Sequence, residues 1–173
     1  MTRACAIVGL LVLSACSTLR PEPAARTGPP GEAVVVRPVD GDTVIVRVGG
    51  AEVPVRFIGI DTPESVSRQR PVECFGPEAK HRTAELLPAG TRVRLERDIE
   101  ARDAYDRLLA YVIRADDDVL VNLLLVAEGF AESARFAPNV AHQAELDRAQ
   151  ADAKAQQRGL WPACGGTDVV LGQ

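Results

Sequence analysis

Charged side chains that could bind a metal ion or a phosphate are concentrated where predicted strands give way to turns. The first group lies in the turn Val39–Thr43, where Gly41 permits a tight bend. This bend can direct the carboxylates of Asp40 and Asp42 into one pocket, where they could bind a metal ion. Residues 40–43 (DGDT) are also compatible with a simple Asx turn that needs no metal.

A second group surrounds Arg56, which interrupts the apolar run 55–60. Strand alternation places Arg56 on the same face as Ile58 and Ile60, so its side chain is expected to point inward. Because a buried arginine needs an anionic partner, this position favours a functional group over a structural one. Asp61, Thr62 and Glu64 follow in the loop after this strand, and Pro63 restricts the loop backbone.

The third group is 103–107 (DAYDR), which directly precedes the predicted strand Leu108–Ile113. Arg107 could bind an anion from this position, since a guanidinium forms paired hydrogen bonds with phosphate oxygens. A surface cluster of salt bridges explains the same residues equally simply.

The composition limits the number of domains and the kinds of function that are compatible with these charged groups. The chain has 173 residues, 46% of them hydrophobic, which suffices for a single core. Its 24 acidic and 20 basic residues give a net charge of −4. Proteins that hold nucleic acid by bulk electrostatics carry a basic face. A nucleic-acid function would therefore depend on a few placed cations or on a bound metal.

The N-terminus has the form of an export signal. A short basic region precedes the nearly apolar stretch 4–15, which is too short to span a bilayer as a mature helix. Residues 13–16 (LSAC) resemble a bacterial lipobox, which predicts cleavage before Cys16 and its lipidation. A plain secretory signal is the alternative. We expect an exported protein, either a cell-envelope lipoprotein or a secreted one, with a signal peptide at 1–15 and a flexible, Pro- and Ala-rich tether at 16–32.

Export also bears on the remaining cysteines. Cys5 would leave with the signal, and Cys16 would carry the lipid. Cys74 and Cys164 then form a lone pair in an oxidising compartment, where a disulfide is the simplest prediction and two free thiols are the alternative. Such a bridge would tie the middle of the chain to the tail at 163–173.

The elements that must position these residues are mostly strands. Strands are predicted at 34–36, 43–48, 51–60, 91–97 and 108–113. Of these, 43–48 and 91–97 alternate, and Gly49-Gly50 forms a hairpin turn. Helices are predicted at 76–87 after Pro77, at 119–128, and from an Asn139 cap to Gly159. A β-rich α+β fold, a five-stranded Greek-key barrel of OB type with about three helices, fits this order over 33–162.

At this point the sequence resembles the staphylococcal nuclease (thermonuclease) family. The resemblance covers about 33–161 and is carried by an ordered set of motifs: VDGDT at 39–43, Arg56 with DTPE at 61–64, YDR at 105–107 and LAY at 109–111. Each motif is weak alone, and the ordered set is specific.

The resemblance implies a hydrolytic centre. Asp42, Asp61 and the carbonyl of Thr62 would bind Ca²⁺, and Asp40 would support those ligands. Glu64 would act as general base, while Arg56 and Arg107 would hold the scissile phosphate. The implied activity is Ca²⁺-dependent hydrolysis of DNA or RNA that leaves 3′-phosphate products.

Substrate contacts are implied for Tyr105, Arg70 and Phe136, with departures from the family pattern. Ala104 replaces the lysine before the tyrosine, and a pair of base-stacking tyrosines is absent after Gly129, where Phe136 offers one stacking face. We therefore expect weak, salt-sensitive substrate binding by a monomer that meets the membrane only through its lipid.

Two non-enzymatic functions remain compatible with the sequence. One is a non-catalytic OB-fold lipoprotein that binds nucleic acid or another ligand, although inactive family members usually lose the carboxylates and arginines present here. The other is a structural or interaction protein of the envelope, which only the tether and lipobox favour. A zinc- or histidine-based nuclease is disfavoured because His81 and His142 lack metal-ligand spacing.

Overall fold

The computed structural model of this chain describes residues 32–65 and 71–170. The predicted signal peptide, Cys16, nearly all of the predicted tether and the candidate substrate contact Arg70 lie outside the described residues. Within the described ranges, none of the helices is long and apolar enough to cross a membrane.

Five strands close into a barrel in the order β1-β2-β3-β6-β5. The pairs are antiparallel except β3 with β6, which is parallel. The predicted five-stranded OB barrel and α+β class are confirmed. The strands are β1 Glu32–Asp40, β2 Thr43–Val48, β3 Ala51–Phe57, β4 Ile60–Asp61, β5 Arg92–Glu96, β6 Leu108–Arg114 and β7 Glu132–Ser133.

One predicted strand, 51–60, is divided in two. Gly59 has a positive φ of 77° and turns the chain between β3 and β4. A Cβ at Gly59 would lie 2.5 Å from Leu146 Cδ1, so glycine also permits a close approach there. The short β4 leaves the barrel and pairs with β7, which the sequence did not predict. Asp61 is therefore carried at the barrel margin.

The described residues form four helices, one more than predicted. They are α1 Gly76–Leu86, α2 Val121–Ala127, α3 Gln143–Ala155 and the short α4 Leu160–Ala163. The prediction that Asn139 caps α3 is wrong, because His142 occupies the N-cap position. The Asn139 side chain instead binds the backbone of Glu100, accepting from its N–H at 2.8 Å and donating to its carbonyl at 3.0 Å.

The core fills the barrel and continues under α2 and α3. Its largest buried side chains include Phe57, Tyr111, Leu125 and Leu146. Asn122 is buried without loss of hydrogen bonding, since its amide accepts from Val112 N–H and donates to the carbonyl of Ile58, at 2.9 and 2.8 Å. This amide fixes α2 against the end of β3, the strand that carries Arg56.

Candidate active site

Asp42 lies in the turn between β1 and β2 and is held against the loop after β4. Its Oδ2 accepts hydrogen bonds from Thr62 Oγ1 at 3.0 Å and from Thr62 N–H at 3.3 Å. A Cβ at Gly41 would lie 2.6 Å from Thr62 Oγ1, so this close approach requires glycine. The helix α1 supports the turn from behind, where Thr83 Oγ1 donates to the Gly41 carbonyl at 2.5 Å.

Arg56 faces Asp42 because of the register of the barrel. It is paired with Thr43 across β2 and β3, and Phe57 N–H donates to the Asp42 carbonyl at 2.8 Å. The guanidinium contacts the Asp42 carboxylate and donates from Nη2 to Asp61 Oδ1 at 2.8 Å. Its side chain is only 14% exposed, so the inward-facing arginine has the anionic partners that its burial demands.

Glu64 follows on the loop beyond Thr62 and is held through its backbone. Its N–H donates to Glu73 Oε2 at 2.7 Å, and its carbonyl accepts from Glu73 N–H at 2.9 Å. The next residue, Ser65, donates from its hydroxyl to Asp40 Oδ1 at 2.5 Å. The predicted supporting role of Asp40 therefore has a definite contact, which links the β1–β2 turn to the Glu64 loop.

Arg107 reaches the site from the residues just before β6. Its Nε donates to Asp103 Oδ2 at 2.7 Å, and its backbone N–H donates to Asp103 Oδ1 at 3.0 Å. Burial by itself raises the pKa of Asp103, but the hydrogen bonds from Arg107 and Tyr105 outweigh it and hold this pKa below its usual range. Residues 103–107 therefore do contain a salt bridge, as the alternative interpretation of this cluster required. That salt bridge, between Asp103 and Arg107, orients the Arg107 guanidinium.

These side chains converge on one polar cavity of about 220 Å³. Among the described residues, its charged lining comprises six carboxylates and two arginines, so negative charge exceeds positive charge in that part of the lining. They are Asp40, Asp42, Asp61, Glu64, Glu73 and Asp168 with Arg56 and Arg107. Every residue that the sequence assigned to the hydrolytic centre lies in this lining or contacts it.

Burial and the neighbouring carboxylates of the cavity change the pKa of Asp61. Burial raises the pKa of Asp61, the charge of Arg56 opposes this effect, and the neighbouring carboxylates of Asp42 and Asp168 raise it further. A positive charge placed among these groups would relieve the repulsion. The site therefore has the electrostatic character of a cation site that Arg56 alone does not neutralise.

The donors present fit a hard cation. Asp42 and Asp61 supply carboxylate oxygens, and the backbone of Thr62 offers a carbonyl. The described residues of the lining include no sulfur or imidazole. Across residues 32–65 and 71–170, no group of three or more His, Cys, Asp or Glu side chains is arranged to hold a metal ion. A cation site built from two carboxylates, a backbone carbonyl and water oxygens is consistent with these oxygen donors and does not require a third metal-binding side chain.

A second, larger cavity of about 370 Å³ adjoins the first through Arg56 and Arg107. Phe136 and Ala104 both line it, so the position of the missing lysine and the candidate stacking ring share one surface. Tyr105 is 82% exposed, and the guanidinium of Arg107 lies 5.6 Å from its ring centroid. The structure thus brings Tyr105 and Phe136 to the side of the centre where a substrate could extend.

Two residues of the polar cavity, Glu73 and Asp168, were absent from the sequence prediction. Both lie close in the chain to the predicted pair Cys74 and Cys164, which the structure joins as a disulfide with Cα atoms 6.0 Å apart. Glu73 precedes one cysteine, and Asp168 follows the other by four residues. The cysteine pair was therefore the sequence signal that could have located them.

Comparison with known proteins agrees with this geometry. The family model described as "Staphylococcal nuclease homologue" matches residues 54–163. Similar proteins include "Thermonuclease" from Staphylococcus intermedius, 39% identical over 76% of this chain and 77% of the relative, and "Thermonuclease" from Staphylococcus hyicus, 38% identical over 73% of each chain. "Endonuclease YncB" from Bacillus subtilis is 34% identical over 75% of this chain and 61% of the relative. This chain belongs to the staphylococcal nuclease family.

Proposed function

We propose that this protein is a Ca²⁺-dependent nuclease that hydrolyses phosphodiester bonds of DNA, RNA or both. The observation that carries the proposal is the convergence of Asp42, Asp61 and Glu64 with Arg56 and Arg107 on one cavity. Carboxylates and arginines in one polar cavity suit a reaction in which a phosphate must be held and a water activated. The activities for which the similar thermonucleases and the similar endonuclease are named support the same function.

Each residue has a chemical task in this proposal. Arg56 and Arg107 bind the non-bridging oxygens of the scissile phosphate, whose negative charge increases as water adds to phosphorus. Glu64 accepts a proton from that water, directly or through a second water. The new bond joins the water oxygen to phosphorus, and the bond from phosphorus to the 5′ oxygen breaks. The leaving oxygen takes a proton from solvent, and the other product carries a 3′-phosphate.

The cation would be held by Asp42, Asp61 and the Thr62 carbonyl. When bound, Ca²⁺ would act as a Lewis acid on the phosphate and would offset the excess of carboxylates in the cavity. Asp40 would keep the adjoining turn and loop in register through its bond to Ser65. Tyr105 and Phe136 would contact the nucleotides beside the scissile bond.

The proposal is tested by incubating the purified protein with single-stranded DNA or RNA, with Ca²⁺ or with a chelator. We expect cleavage with Ca²⁺, 3′-phosphate ends, and loss of cleavage with the chelator. Chelator-insensitive binding without cleavage would instead identify a non-catalytic binding module.

Two variants test the residue assignments. Glu64→Gln and Arg107→Ala are each expected to reduce turnover by about 10²- to 10³-fold without loss of the fold. Asp116→Asn is the matched control, because Asp116 is exposed and pairs only with Arg92 among the described contacts. Near-normal turnover in either active-site variant would show that the roles are misassigned.

For the N-terminus, which lies outside the described residues, we propose export and lipidation at Cys16. Expression in a bacterial host should yield a mature form that begins at Cys16 and carries a lipid, as measured by mass spectrometry. Cys16→Ser should abolish the added mass. An unmodified Cys16 in an exported, shortened protein would indicate a plain secretory signal.

A further inference from the structure

The backbone of Glu64 is fastened to a short segment that precedes and begins α1, residues 73–76. Glu73 binds it twice, through its carboxylate to the Glu64 N–H and through its own N–H to the Glu64 carbonyl, at 2.7 and 2.9 Å. Gly76 packs so closely that a Cβ there would lie 2.4 Å from the Glu64 carbonyl oxygen. Because Glu73 is 7% exposed, its carboxylate makes this bond in a largely desolvated position.

The same segment is fastened on its other side to the tail segment, residues 164–170. The disulfide joins Cys74 to Cys164, Cys74 N–H donates to the Val169 carbonyl at 2.6 Å, and Glu73 forms a β-bridge with Val170. The tail segment is held in turn by Glu132, whose Oε1 accepts from Thr167 N–H at 2.6 Å. Residues at a chain end usually fray unless they are tied down in this way.

We propose that the disulfide-held tail segment is a positioning element of the active site, which acts through Glu73 to fix the backbone of Glu64. The inference rests on the proposed function, in which Glu64 is the general base. The tail does not contact the reacting atoms in this proposal. It holds segment 73–76, and that segment holds the residue whose carboxylate must lie within hydrogen-bond reach of the attacking water.

A positioning role makes a different kinetic prediction from a purely stabilising one. If the disulfide-held tail segment only stabilises the fold, its loss lowers the fraction of folded protein. That fraction stays near one when the assay is run well below the melting temperature. If the tail segment positions Glu64, its loss lowers kcat even in fully folded protein, because small displacements of a reacting group slow the reaction. Substrate contacts in the second cavity involve no described residue of the tail segment, so KM is expected to change less than kcat.

The first experiment uses the full chain with Cys74→Ser and Cys164→Ser together, assayed at a temperature where the variant is folded by circular dichroism. We expect kcat to fall between about tenfold and a hundredfold while KM changes by less than about threefold. Val169→Ala is the matched control, because it shortens an exposed side chain and keeps both the disulfide and the backbone bond. Unchanged kcat in the folded double variant would overturn the proposal.

A second readout does not depend on activity. The Glu64 amide hydrogen bonded to Glu73 is expected to exchange with solvent at least about tenfold faster in the double variant than in the wild type, as measured by NMR. Amides of the barrel strands should keep their relative protection. Equal protection of Glu64 in both proteins would overturn the proposal, even if activity fell.

If the double variant does not fold, Glu73 variants with the disulfide intact decide the question. Glu73→Gln keeps a carbonyl oxygen as acceptor for the Glu64 N–H, so it should keep a slower-exchanging Glu64 amide and a higher kcat than Glu73→Ala. Equal behaviour of the two variants would overturn the proposal. If the wild type cleaves no nucleic acid, the proposed function fails, whereas the exchange measurement still tests whether the tail fixes Glu64.

Discussion

The guanidinium of Arg56 donates a 2.8 Å hydrogen bond to the carboxylate of Asp61 across the mouth of the barrel. The same guanidinium contacts Asp42, so one arginine lies between the two carboxylates that are the proposed cation ligands. Burial and the neighbouring carboxylates raise the pKa of Asp61 in spite of this arginine. The two carboxylates therefore retain unfavourable charge that a divalent cation could offset.

From this relationship we predict that Ca²⁺ stabilises the folded protein. A concentration near 100 times the dissociation constant adds about 2.7 kcal/mol to the free energy of unfolding, enough to raise Tm by about 5 °C or more. Asp61→Asn should remove most of this increase, whereas Asp152→Asn, on the exposed face of α3, should preserve it. An equal Ca²⁺-induced shift in the Asp61 variant would exclude Asp61 as a ligand.

The salt bridge between Asp103 and Arg107 leads to a second prediction. Asp103→Asn weakens the charge-assisted bond that orients the Arg107 guanidinium, so kcat should fall by about tenfold, less than for Arg107→Ala. Asp106→Asn removes a neighbouring carboxylate that is bound to Arg102 instead, and it should leave kcat unchanged. Equal kinetics of the two aspartate variants would show that the salt bridge does not orient Arg107.

Position 104 is predicted to limit substrate affinity. Ala104 lines the second cavity beside Arg107, so Ala104→Lys should add one phosphate contact, lower KM and leave kcat unchanged. The slope of log affinity against log salt for single-stranded DNA should steepen by about 0.7. Ala144→Lys adds the same charge on the exposed surface of α3 and should do neither. An unchanged salt slope in the Ala104 variant would contradict the prediction.

His142 is predicted to make stability depend on pH. Burial lowers its pKa, but the hydrogen bonds that the imidazole donates to the carboxylates of Glu96 and Glu145 outweigh this effect, so the folded-state pKa lies above the ordinary value of 6.5. Asp98 and Tyr111 also lie near this group. A raised folded-state pKa means that the contribution is complete below the unfolded-state pKa and is lost as pH rises through the folded-state pKa.

Because both glutamates are substantially exposed, the contribution of His142 should be at most about 1 kcal/mol. It is measured as the difference in unfolding free energy between the wild type and His142→Gln, by urea titration from about pH 5.5 to 8. The difference should shrink as pH rises. A difference that is constant or grows with pH would show that protonated His142 does not stabilise the fold.

Reduction of the disulfide is predicted to lower the melting temperature. The bridge spans 90 residues, and a loop of that length stabilises by at most roughly 4–5 kcal/mol in the chain-entropy treatment. Peptide mapping without reductant should recover Cys74 linked to Cys164. Two unlinked cysteines in that map, or a Tm that reductant does not change, would contradict the prediction.

The sequence alone predicted the strands of the barrel and the residues of the proposed hydrolytic centre. Residues 43–48 are rich in β-branched side chains and 108–113 form a short apolar run, so both segments were predicted as strands. Arg56 within an apolar run indicated a buried charge that needs anionic partners. The ordered motifs then placed Asp42, Asp61, Glu64 and Arg107 in one family pattern. Strand-forming segments and short motifs are local properties, because each depends only on residues that are close together in the sequence.

Only the tertiary structure decided which distant groups support that site. The strand breaks at Gly59, which lies against Leu146, and β4 pairs with β7. Asn139 binds the backbone of Glu100 instead of capping a helix. Asp168 lines the cavity from a segment that the disulfide between Cys74 and Cys164, 90 positions apart, fastens beside Glu73. Side-chain periodicity carries no information about such contacts, because they are set by chain closure and packing rather than by local conformation.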